Sequence, residues 1–243
     1  MEAPSISRYE GEVTLIAYTF PKDENDFDFI EFAIRQSWHC LGKLKAVIIA
    51  DRMTERLDAF AKANPEVEIQ LEPSLKVGDI LTMTDDCIER LHTRFSTPYC
   101  LIVQDDGFPL RNRLSEFLGK YDYLGSPSTR EGWVRDIAHR VLQIIMNGGF
   151  SLRSRKICKA VSQEWKFWKH VIKRSSRYYS EDYIYSSLCR RNPLFALRFR
   201  FPSAKVAREF CLPDFTGVVD IRNSPIKPLG VHGTTACLQL LGI

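Results

Sequence analysis

Apolar runs separated by amphipathic segments constrain the fold of this chain more than any other feature. The runs are Val13–Phe20, Leu44–Ala50 and Tyr99–Val103, and the segments between them include Asp28–Leu41 and Thr54–Ala63, where apolar residues recur at helical spacing. Strands that are buried on both faces have continuous apolar sequences, and they alternate with helices when the sheet is parallel. We therefore predict an α/β fold with a mainly parallel central sheet flanked by helices.

The same reading predicts three further features. Val67–Leu71 alternates polar and apolar residues and is a candidate third strand, and Val77–Phe95 is predicted to be one long helix. Asp85 and Asp86 lie inside that helical pattern, and we assign both to its solvated face. Asn147-Gly148-Gly149 is interpreted as a turn before a strand, whose amides could face a sugar or a phosphate.

Composition narrows the classes of protein that fit. The chain has 243 residues and 44% hydrophobic residues, yet no apolar run approaches the roughly 20 residues of a membrane helix. The N-terminus lacks a signal-peptide pattern, and the seven cysteines form no CxxC pair, which predicts reduced core thiols and a cytoplasmic location. The absence of GxxxxGK[ST] and GxGxxG motifs disfavours P-loop and ordinary dinucleotide-binding folds.

The net charge of +4 conceals a strongly basic stretch. Residues 153–208 contain 15 Lys or Arg and 3 acidic residues, so this stretch alone carries +12. Such a stretch favours phosphates, an anionic polymer or an anionic membrane surface as a partner. A solvated face balanced by the acidic first half of the chain is the alternative.

Gln104-Asp105-Asp106-Gly107 directly follows the Tyr99–Val103 strand. Open α/β sheets bind ligands at the carboxyl edge of their strands, and two adjacent carboxylates there are a natural site for Mg²⁺ or Mn²⁺. A surface turn with ordinary Asp-Asp-Gly chemistry explains the same residues equally well.

Two later motifs also carry polar chemistry. Ser180 is a candidate N-cap for a helix in which Glu181 and Asp182 favour the positive end of the dipole, and either carboxylate could instead take a proton from a hydroxyl. His232 lies in a glycine-rich segment, where it is either structural or a ligand for Mn²⁺.

The ordered set QDDG, NGGFSLR, ED and HG resembles the GT-A glycosyltransferases. It is most similar to a family of bacterial polysaccharide and lipopolysaccharide-locus proteins long labelled a domain of unknown function. The resemblance runs from about Val13 to Thr235. It implies one GT-A-like domain over residues 1–243, with a nucleotide-sugar-binding half at about 12–125 and an acceptor-binding, catalytic half at about 126–236.

The resemblance also implies the site residues. Asp105, Asp106 and His232 would bind the metal, Mn²⁺ or Mg²⁺. Gln104 stands where the family's DXD motif has its first acid, which leaves open which carboxylate touches the metal and whether the metal is essential. The nucleotide-sugar donor would be bound by Ala17, Tyr18, Thr19, Asp51, Gln104, Asp105, Asn147, Gly148, Gly149 and Arg153.

By the same resemblance, Asp182 would be the general base of an inverting transferase, with Glu181 orienting the acceptor or bonding the donor sugar. The implied donor is a UDP-sugar, and the implied acceptor is a glycan or a lipid-linked saccharide in bacterial surface polysaccharide biosynthesis. The basic stretch would then place the protein peripherally on the anionic inner membrane face.

Two other classes of function fit the residues. A nucleotidyl or phosphoryl transferase also needs paired carboxylates and Mg²⁺ at the edge of a parallel sheet. A non-catalytic glycan- or nucleic-acid-binding module could use the basic stretch with its interleaved aromatic residues. Nucleic acid receives little support, because such a stretch is more often a helix with a buried aromatic stripe.

Overall fold

Six strands form the central sheet of the computed structural model, which describes residues 7–20, 27–76, 79–127, 146–175, 179–189, 192–213 and 227–233. The strand order is β3-β2-β1-β4-β7-β6. The strands are β1 Val13–Thr19, β2 Ala46–Ala50, β3 Val67–Leu71, β4 Tyr99–Ile102, β6 Tyr123–Pro127 and β7 Met146–Ser154.

The direction of the strands determines where the chain's polar motifs meet. β1 is parallel to β2 and β4, and β2 is parallel to β3, whereas β7 is antiparallel to β4 and β6. The carboxyl ends of the four parallel strands therefore share one edge, and the start of β7 lies at the same edge because β7 runs the opposite way. The predicted α/β fold with a mainly parallel sheet is confirmed.

Helices cover the sheet and bury their apolar stripes against it. α1 and α2 begin and end within one residue of the predicted bounds, and Thr54 caps α2 by accepting a hydrogen bond from the Leu57 N–H at 3.2 Å. The α-helices are α1 Phe27–Leu41, α2 Glu55–Ala63, α3 Ile80–Glu89, α4 Leu91–Arg94, α5 Arg155–Ser175, α6 Glu181–Tyr183, α7 Pro193–Arg198 and α8 Ala204–Phe210. A 3₁₀ turn covers Leu114–Glu116, and α6 continues as a π-helix over Ile184–Leu188.

A second, small sheet brings the late part of the chain to the end of β4. Its strands are β5 Gly107–Pro109, β8 Cys211–Pro213 and β9 Gly230–His232, in the order β5-β9-β8. β5 is antiparallel to β9, with Gly107 opposite His232. This pairing fixes the position of the late histidine beside the QDDG turn.

Two predictions of secondary structure are wrong. The long helix expected over Val77–Phe95 is two helices, because Arg90 leaves helical geometry between α3 and α4. The Asn147-Gly148-Gly149 turn is instead part of the continuous strand β7. Residues 131–143, which the sequence indicates to be irregular or helical, lie outside the described residues.

Asp86 was predicted to lie on the solvated face of a helix together with Asp85, and this prediction is wrong for Asp86. It is only 2% exposed, and its carboxylate accepts a hydrogen bond from the Tyr18 hydroxyl at 2.8 Å. It also forms ion pairs with Arg94 and, at 2.8 Å, with Arg90. Both arginines bind Glu72 as well, so this cluster ties β1 to the end of β3 and to the α3–α4 break.

The cysteines and the helices agree with two expectations from composition. Five cysteines lie buried in the core, at Cys87, Cys100, Cys158, Cys189 and Cys211. Within the described parts of the chain, no helix combines the length and the apolarity needed to span a bilayer.

Candidate functional site

The QDDG segment is a tight turn at the carboxyl edge of the sheet. Gln104 and Gly107 exchange two backbone hydrogen bonds, of 2.9 and 3.1 Å, which leaves Asp105 and Asp106 at the tip. The exposed carboxylate of Asp105 accepts a hydrogen bond from the Asp106 N–H at 3.1 Å. The turn interpretation is therefore correct for the backbone. The half-buried Asp106 side chain takes no part in the hydrogen bond between the Asp106 N–H and Asp105.

Asp106 and His232 lie together although 126 positions separate them in the chain. The Nε2 atom of His232 is 3.5 Å from Oδ1 of Asp106. The backbone holds this arrangement twice, through the pairing of Gly107 with His232 and through a 2.7 Å hydrogen bond from the Gly233 N–H to the Asp106 carbonyl. Both side chains keep some exposure to solvent, so a ligand can reach them.

A bulge in β7 lies between this pair and the helix α6. Gly125 of β6 is opposite Ser151, whereas the next residue of β6, Ser126, is opposite Asn147, so residues 148–150 have no counterpart on β6. Glycines inside strands mark such bulges and close approaches. The half-buried Asn147 begins the bulge, and its carbonyl packs against the Cα face of Gly125.

The two glycines of the bulge face different functional groups. A Cβ atom on Gly149 would overlap Gln104 Oε1 and His232 Nε2. A Cβ atom on Gly148 would overlap Oε1 of Glu181 and would lie 2.6 Å from Nη2 of Arg153. Only glycine fits at either position without displacing these side chains, so the bulge joins the QDDG–His232 corner to the start of α6.

Glu181 is held by a buried arginine. Arg153 has no exposed surface, and its Nη2 atom lies 3.2 Å from Oε1 of Glu181. Arg153 also donates to the Ser151 hydroxyl at 3.0 Å and to the Gly148 carbonyl at 3.4 Å. Its guanidinium carbon is 5.2 Å from the ring centroid of Tyr123 and 4.7 Å from that of Tyr185, which is cation–π distance.

Asp182 turns away from this ion pair. Its Oδ1 atom accepts hydrogen bonds from the Ser180 hydroxyl and, at 2.6 Å, from the Tyr183 N–H. Burial, followed by the neighbouring Glu181 carboxylate, raises the pKa of Asp182 above that of an ordinary aspartic acid. A carboxylate with a raised pKa is a stronger base at neutral pH. Ser180 is the N-cap residue of α6, as predicted, but its hydroxyl bonds to Asp182 and makes no capping hydrogen bond to the helix backbone.

Arg153 was expected to contact the donor, and the structure places its side chain in the interior. It is fully buried and bonded to Glu181, Ser151 and Gly148, while its Nη1 atom has no hydrogen-bond partner among the described residues. Arg153 therefore supports the bulge, and its contact with a donor stays a prediction.

The residues expected to bind a nucleotide base end at the same sheet edge. Ala17, Tyr18 and Thr19 are the last three residues of β1 and are buried, and the Tyr18 hydroxyl is already bonded to Asp86. Only the end of β1 at Thr19 reaches the edge. Asp51 follows β2 and is largely buried, and its Oδ1 atom has no hydrogen-bond partner among the described residues. A buried oxygen in that state is suited to a donor from a ligand.

Three side chains near the QDDG turn carry groups that can bind Mn²⁺ or Mg²⁺. Asp106 offers a carboxylate and His232 an imidazole 3.5 Å apart, and Asp105 adds an exposed carboxylate at the same turn. Across the described residues, no cluster of three or more His, Cys, Asp or Glu side chains is close enough to enclose a metal ion. Oxygen and imidazole donors at an open position fit a cation that also takes water and phosphate oxygens, as Mg²⁺ does in nucleotide sites.

We expect Gly149→Ala to destabilise the protein by about 1–3 kcal/mol, because the added methyl group overpacks the bulge against Gln104 and His232. Gly107→Ala is the matched comparison, since its Cβ would be 3.0 Å from the Gly149 carbonyl oxygen and from His232 Cδ2, a milder conflict. Denaturant unfolding of both variants measures the difference. Equal stability of the two variants would contradict the close packing at Gly149.

Sequence reasoning missed the groups that support the site. The two tyrosines around Arg153 and the Asp86 cluster carry no motif. Asp86, Arg90 and Arg94 are spaced by four residues, and this spacing was the available signal, since such residues share one helix face.

Comparisons with known proteins agree with this architecture. A protein-family model described as "Protein of unknown function (DUF5672)" matches residues 83–232. No curated protein sequence matches the chain. The solved structure of the galactosyltransferase LgtC, in complex with donor and acceptor sugar analogues, is 12% identical, with 90% of this chain and 86% of that chain covered and a TM-score of 0.59.

A second solved structure is similar over the same part of this chain. The apo form of the glycosyltransferase GlyE from Streptococcus pneumoniae TIGR4 is 11% identical, with 91% of this chain and 54% of that chain covered and a TM-score of 0.53. At these identities the likeness establishes the fold, which is that of the GT-A glycosyltransferases.

Proposed function

The chain belongs to the DUF5672 family, and because its fold is that of the GT-A glycosyltransferases we propose that it transfers a sugar from a nucleotide-diphosphate donor to an acceptor hydroxyl. One observation carries the proposal: the β7 bulge has Gln104 and His232 against Gly149, and Glu181 and Arg153 against Gly148. A reaction of this kind needs a group that binds a cation near the diphosphate and a carboxylate near the acceptor. In the bulge, His232 contacts Gly149 and the Glu181 carboxylate contacts the adjacent Gly148.

The donor is proposed to lie along the carboxyl edge of the sheet. Its nucleoside would contact the end of β1 at Thr19 and the buried, unpartnered Oδ1 of Asp51. Its diphosphate would lie near Asp106 and His232, with the sugar against the backbone of Asn147 and the two glycines. Since a UDP-sugar is the donor implied by the family resemblance, it is the first candidate to test.

The metal-binding role is assigned to Asp106 and His232, with Asp105 at the same turn. A bound Mn²⁺ or Mg²⁺ would supply positive charge to the departing diphosphate. The chain's own part is to hold the two donor side chains 3.5 Å apart by means of the β5–β9 pairing. Gln104 adds a neutral oxygen on the other side of Gly149, in the place where the family motif has an acid.

The general base is proposed to be Asp182, which would take the proton of the acceptor hydroxyl as that oxygen attacks the sugar carbon from the face opposite the diphosphate. This geometry inverts the configuration of the sugar. The raised pKa of Asp182 favours proton transfer near neutral pH. Glu181, fixed by Arg153, would orient the acceptor or the donor sugar.

The acceptor is proposed to be a glycan or lipid-linked saccharide of bacterial surface polysaccharide biosynthesis, reached at the inner membrane face. The support is the family resemblance, together with the charge of +12 carried by residues 153–208.

A thermal-shift panel of nucleotide sugars, each with and without Mn²⁺, tests donor and metal together. We expect one nucleotide sugar to raise the melting temperature only when Mn²⁺ is present, and we expect Asp106→Asn and His232→Ala to abolish that shift. Asp58→Asn on α2, whose half-buried carboxylate pairs with Lys62 at the surface, is the matched control and should behave as wild type. A metal-independent shift would remove the metal from the proposal, and release of pyrophosphate from a nucleoside triphosphate would replace sugar transfer with nucleotidyl transfer.

A further inference from the structure

Two helices of the basic stretch, α5 and α7, expose large apolar side chains. Phe167 on α5 is 73% exposed, and Leu194 and Leu197 on α7 are 76% and 88% exposed. Leu194 and Leu197 are three residues apart and therefore share one face of α7. Large apolar side chains grouped in this way mark interaction surfaces more often than chance exposure does.

The two helices are neighbours in the fold. The ring centroids of Trp168 and Phe195 are 5.6 Å apart, and Phe195 in turn packs on Phe199 at 5.2 Å. Phe167 directly precedes Trp168, and Leu194 directly precedes Phe195. These buried aromatic contacts hold α7 beside the second half of α5, with the exposed apolar residues on the outside.

Both helices also expose cationic side chains. Lys166 on α5 and Arg198 on α7 are exposed, as is the imidazole of His170 on α5. α5 contains seven Lys or Arg residues and a single acid, Glu164, whereas α7 contains no acid. We call Lys166, Phe167, His170, Leu194, Leu197 and Arg198 the α5–α7 surface.

We propose that the α5–α7 surface docks the protein on an anionic lipid membrane. Aliphatic and aromatic side chains that enter the headgroup region, combined with cations that face acidic lipids, are the two signals that stable peripheral binding requires. A second copy of the chain is disfavoured as the occupant, because two such surfaces would bring like charges together. Nucleic acid is disfavoured because Trp165 and Tyr179 are buried and Trp168 is partly buried. Of the aromatic residues described on α5 and α7 only Phe167 is exposed, whereas binding of a single strand uses several rings for successive bases.

This inference deepens the acceptor part of the proposed function, since a lipid-linked saccharide would be presented at the same surface. It does not depend on the sugar-transfer reaction, because membrane binding is measured without any donor. Loss of catalysis and loss of docking can therefore be observed separately.

Co-sedimentation of the full chain with vesicles tests the proposal. We expect binding to vesicles of equal parts phosphatidylglycerol and phosphatidylcholine, little binding to pure phosphatidylcholine, and release by high salt. The double variant Leu194→Ser/Leu197→Ser and the single variant Lys166→Glu should each weaken partitioning about tenfold. Leu71→Ser on β3 and Lys62→Glu on α2 are exposed controls outside the surface and should bind as wild type does.

The outcomes that overturn the proposal are distinct. Equal binding to both kinds of vesicle, no binding at low salt, or unchanged binding by the double variant would each reject an anionic-lipid surface. Sedimentation equilibrium that shows a dimer broken by Leu194→Ser/Leu197→Ser, without an effect on vesicle binding, would assign the surface to a second copy. Melting temperatures equal to wild type establish that the variants are folded, since the changed side chains are exposed.

Discussion

Replacing Asp182 by asparagine is expected to lower the turnover number of sugar transfer about 10²–10⁴-fold, the range that general-base catalysis contributes. Asparagine can still accept the hydrogen bonds from the Ser180 hydroxyl and the Tyr183 N–H, so the start of α6 should keep its shape. It cannot take a proton. Steady-state kinetics with a saturating nucleotide sugar measures the loss, and donor binding should be unchanged in the thermal-shift assay.

Asp58→Asn is the control for this prediction, because it makes the same chemical change at a half-buried surface position of α2 and should leave turnover unaltered. Near-full turnover of Asp182→Asn would exclude Asp182 as the base. Loss of donor binding together with turnover would instead place the residue in the donor site.

The pH dependence follows from the same group. Because the pKa of Asp182 is raised by burial and by Glu181, turnover should begin to fall on acidification at a higher pH than an ordinary aspartate, with a pKa of about 3.9, would give. The pH dependence of stability has the opposite sign to that of turnover. A raised pKa means that the folded state binds this proton more tightly than the unfolded chain, so its stabilising contribution is present at low pH and is lost as the pH rises through the raised pKa.

Arg153→Met is expected to reduce the free energy of unfolding by about 3–5 kcal/mol, the cost of leaving one member of a buried ion pair without its partner. Methionine roughly fills the space between Tyr123 and Tyr185, but it leaves the Glu181 carboxylate facing the Gly148 backbone without a cation. Urea denaturation measures the change. Lys159→Met, an exposed position on α5, is the control and should change stability by no more than about 0.5 kcal/mol.

A double-mutant cycle makes this prediction specific to the pair. When Glu181 is also changed to Gln, the buried charge is removed, and Arg153→Met/Glu181→Gln should be more stable than the sum of the single changes by about 0.5–3 kcal/mol. Strict additivity would show that Arg153 acts by packing and hydrogen bonding to Ser151 and Gly148 alone.

The sequence predicted the sheet well because its strands are buried on both faces. β1, β2 and β4 are almost entirely apolar, and β3 was placed at Val67–Leu71 as observed. The positions of α1 and α2 were equally predictable, because their apolar residues recur at helical spacing. Local pattern was sufficient wherever a segment's own residues determine which face it buries.

Local pattern failed where contacts with distant segments decide the conformation. An unbroken helix would place Arg94 about 12 Å along its axis from Asp86. Arg90 could pair with Asp86 from an unbroken helix, but the break at Arg90 lets Arg94 reach the same carboxylate. The neighbours Tyr18 on β1 and Glu72 after β3 come from other segments. In the same way, Asn-Gly-Gly is ordinary turn chemistry, and only the approach of Glu181 and His232 explains why glycines stand in a strand.

For the site, residue types were more predictable than their contacts. Asp106 and His232 were singled out separately, and the 3.5 Å contact between them depends on the β5–β9 pairing, which no local pattern encodes. Arg153 was noticed as a cation, but its burial follows from the two tyrosines that enclose it.

The π-helical turn after Asp182 has a consequence for how this site can change over time. In Ile184–Leu188 the Cys189 N–H bonds to the Ile184 carbonyl five residues back, so the segment holds one residue more than an α-helix of the same length. Loss of a single codon there would restore α-helical geometry and rotate the carboxylates at the helix start by about 100° relative to the buried Cys189, which follows the segment. Point substitutions can therefore change the start of α6 gradually, whereas selection is expected to remove insertions and deletions in Ile184–Leu188.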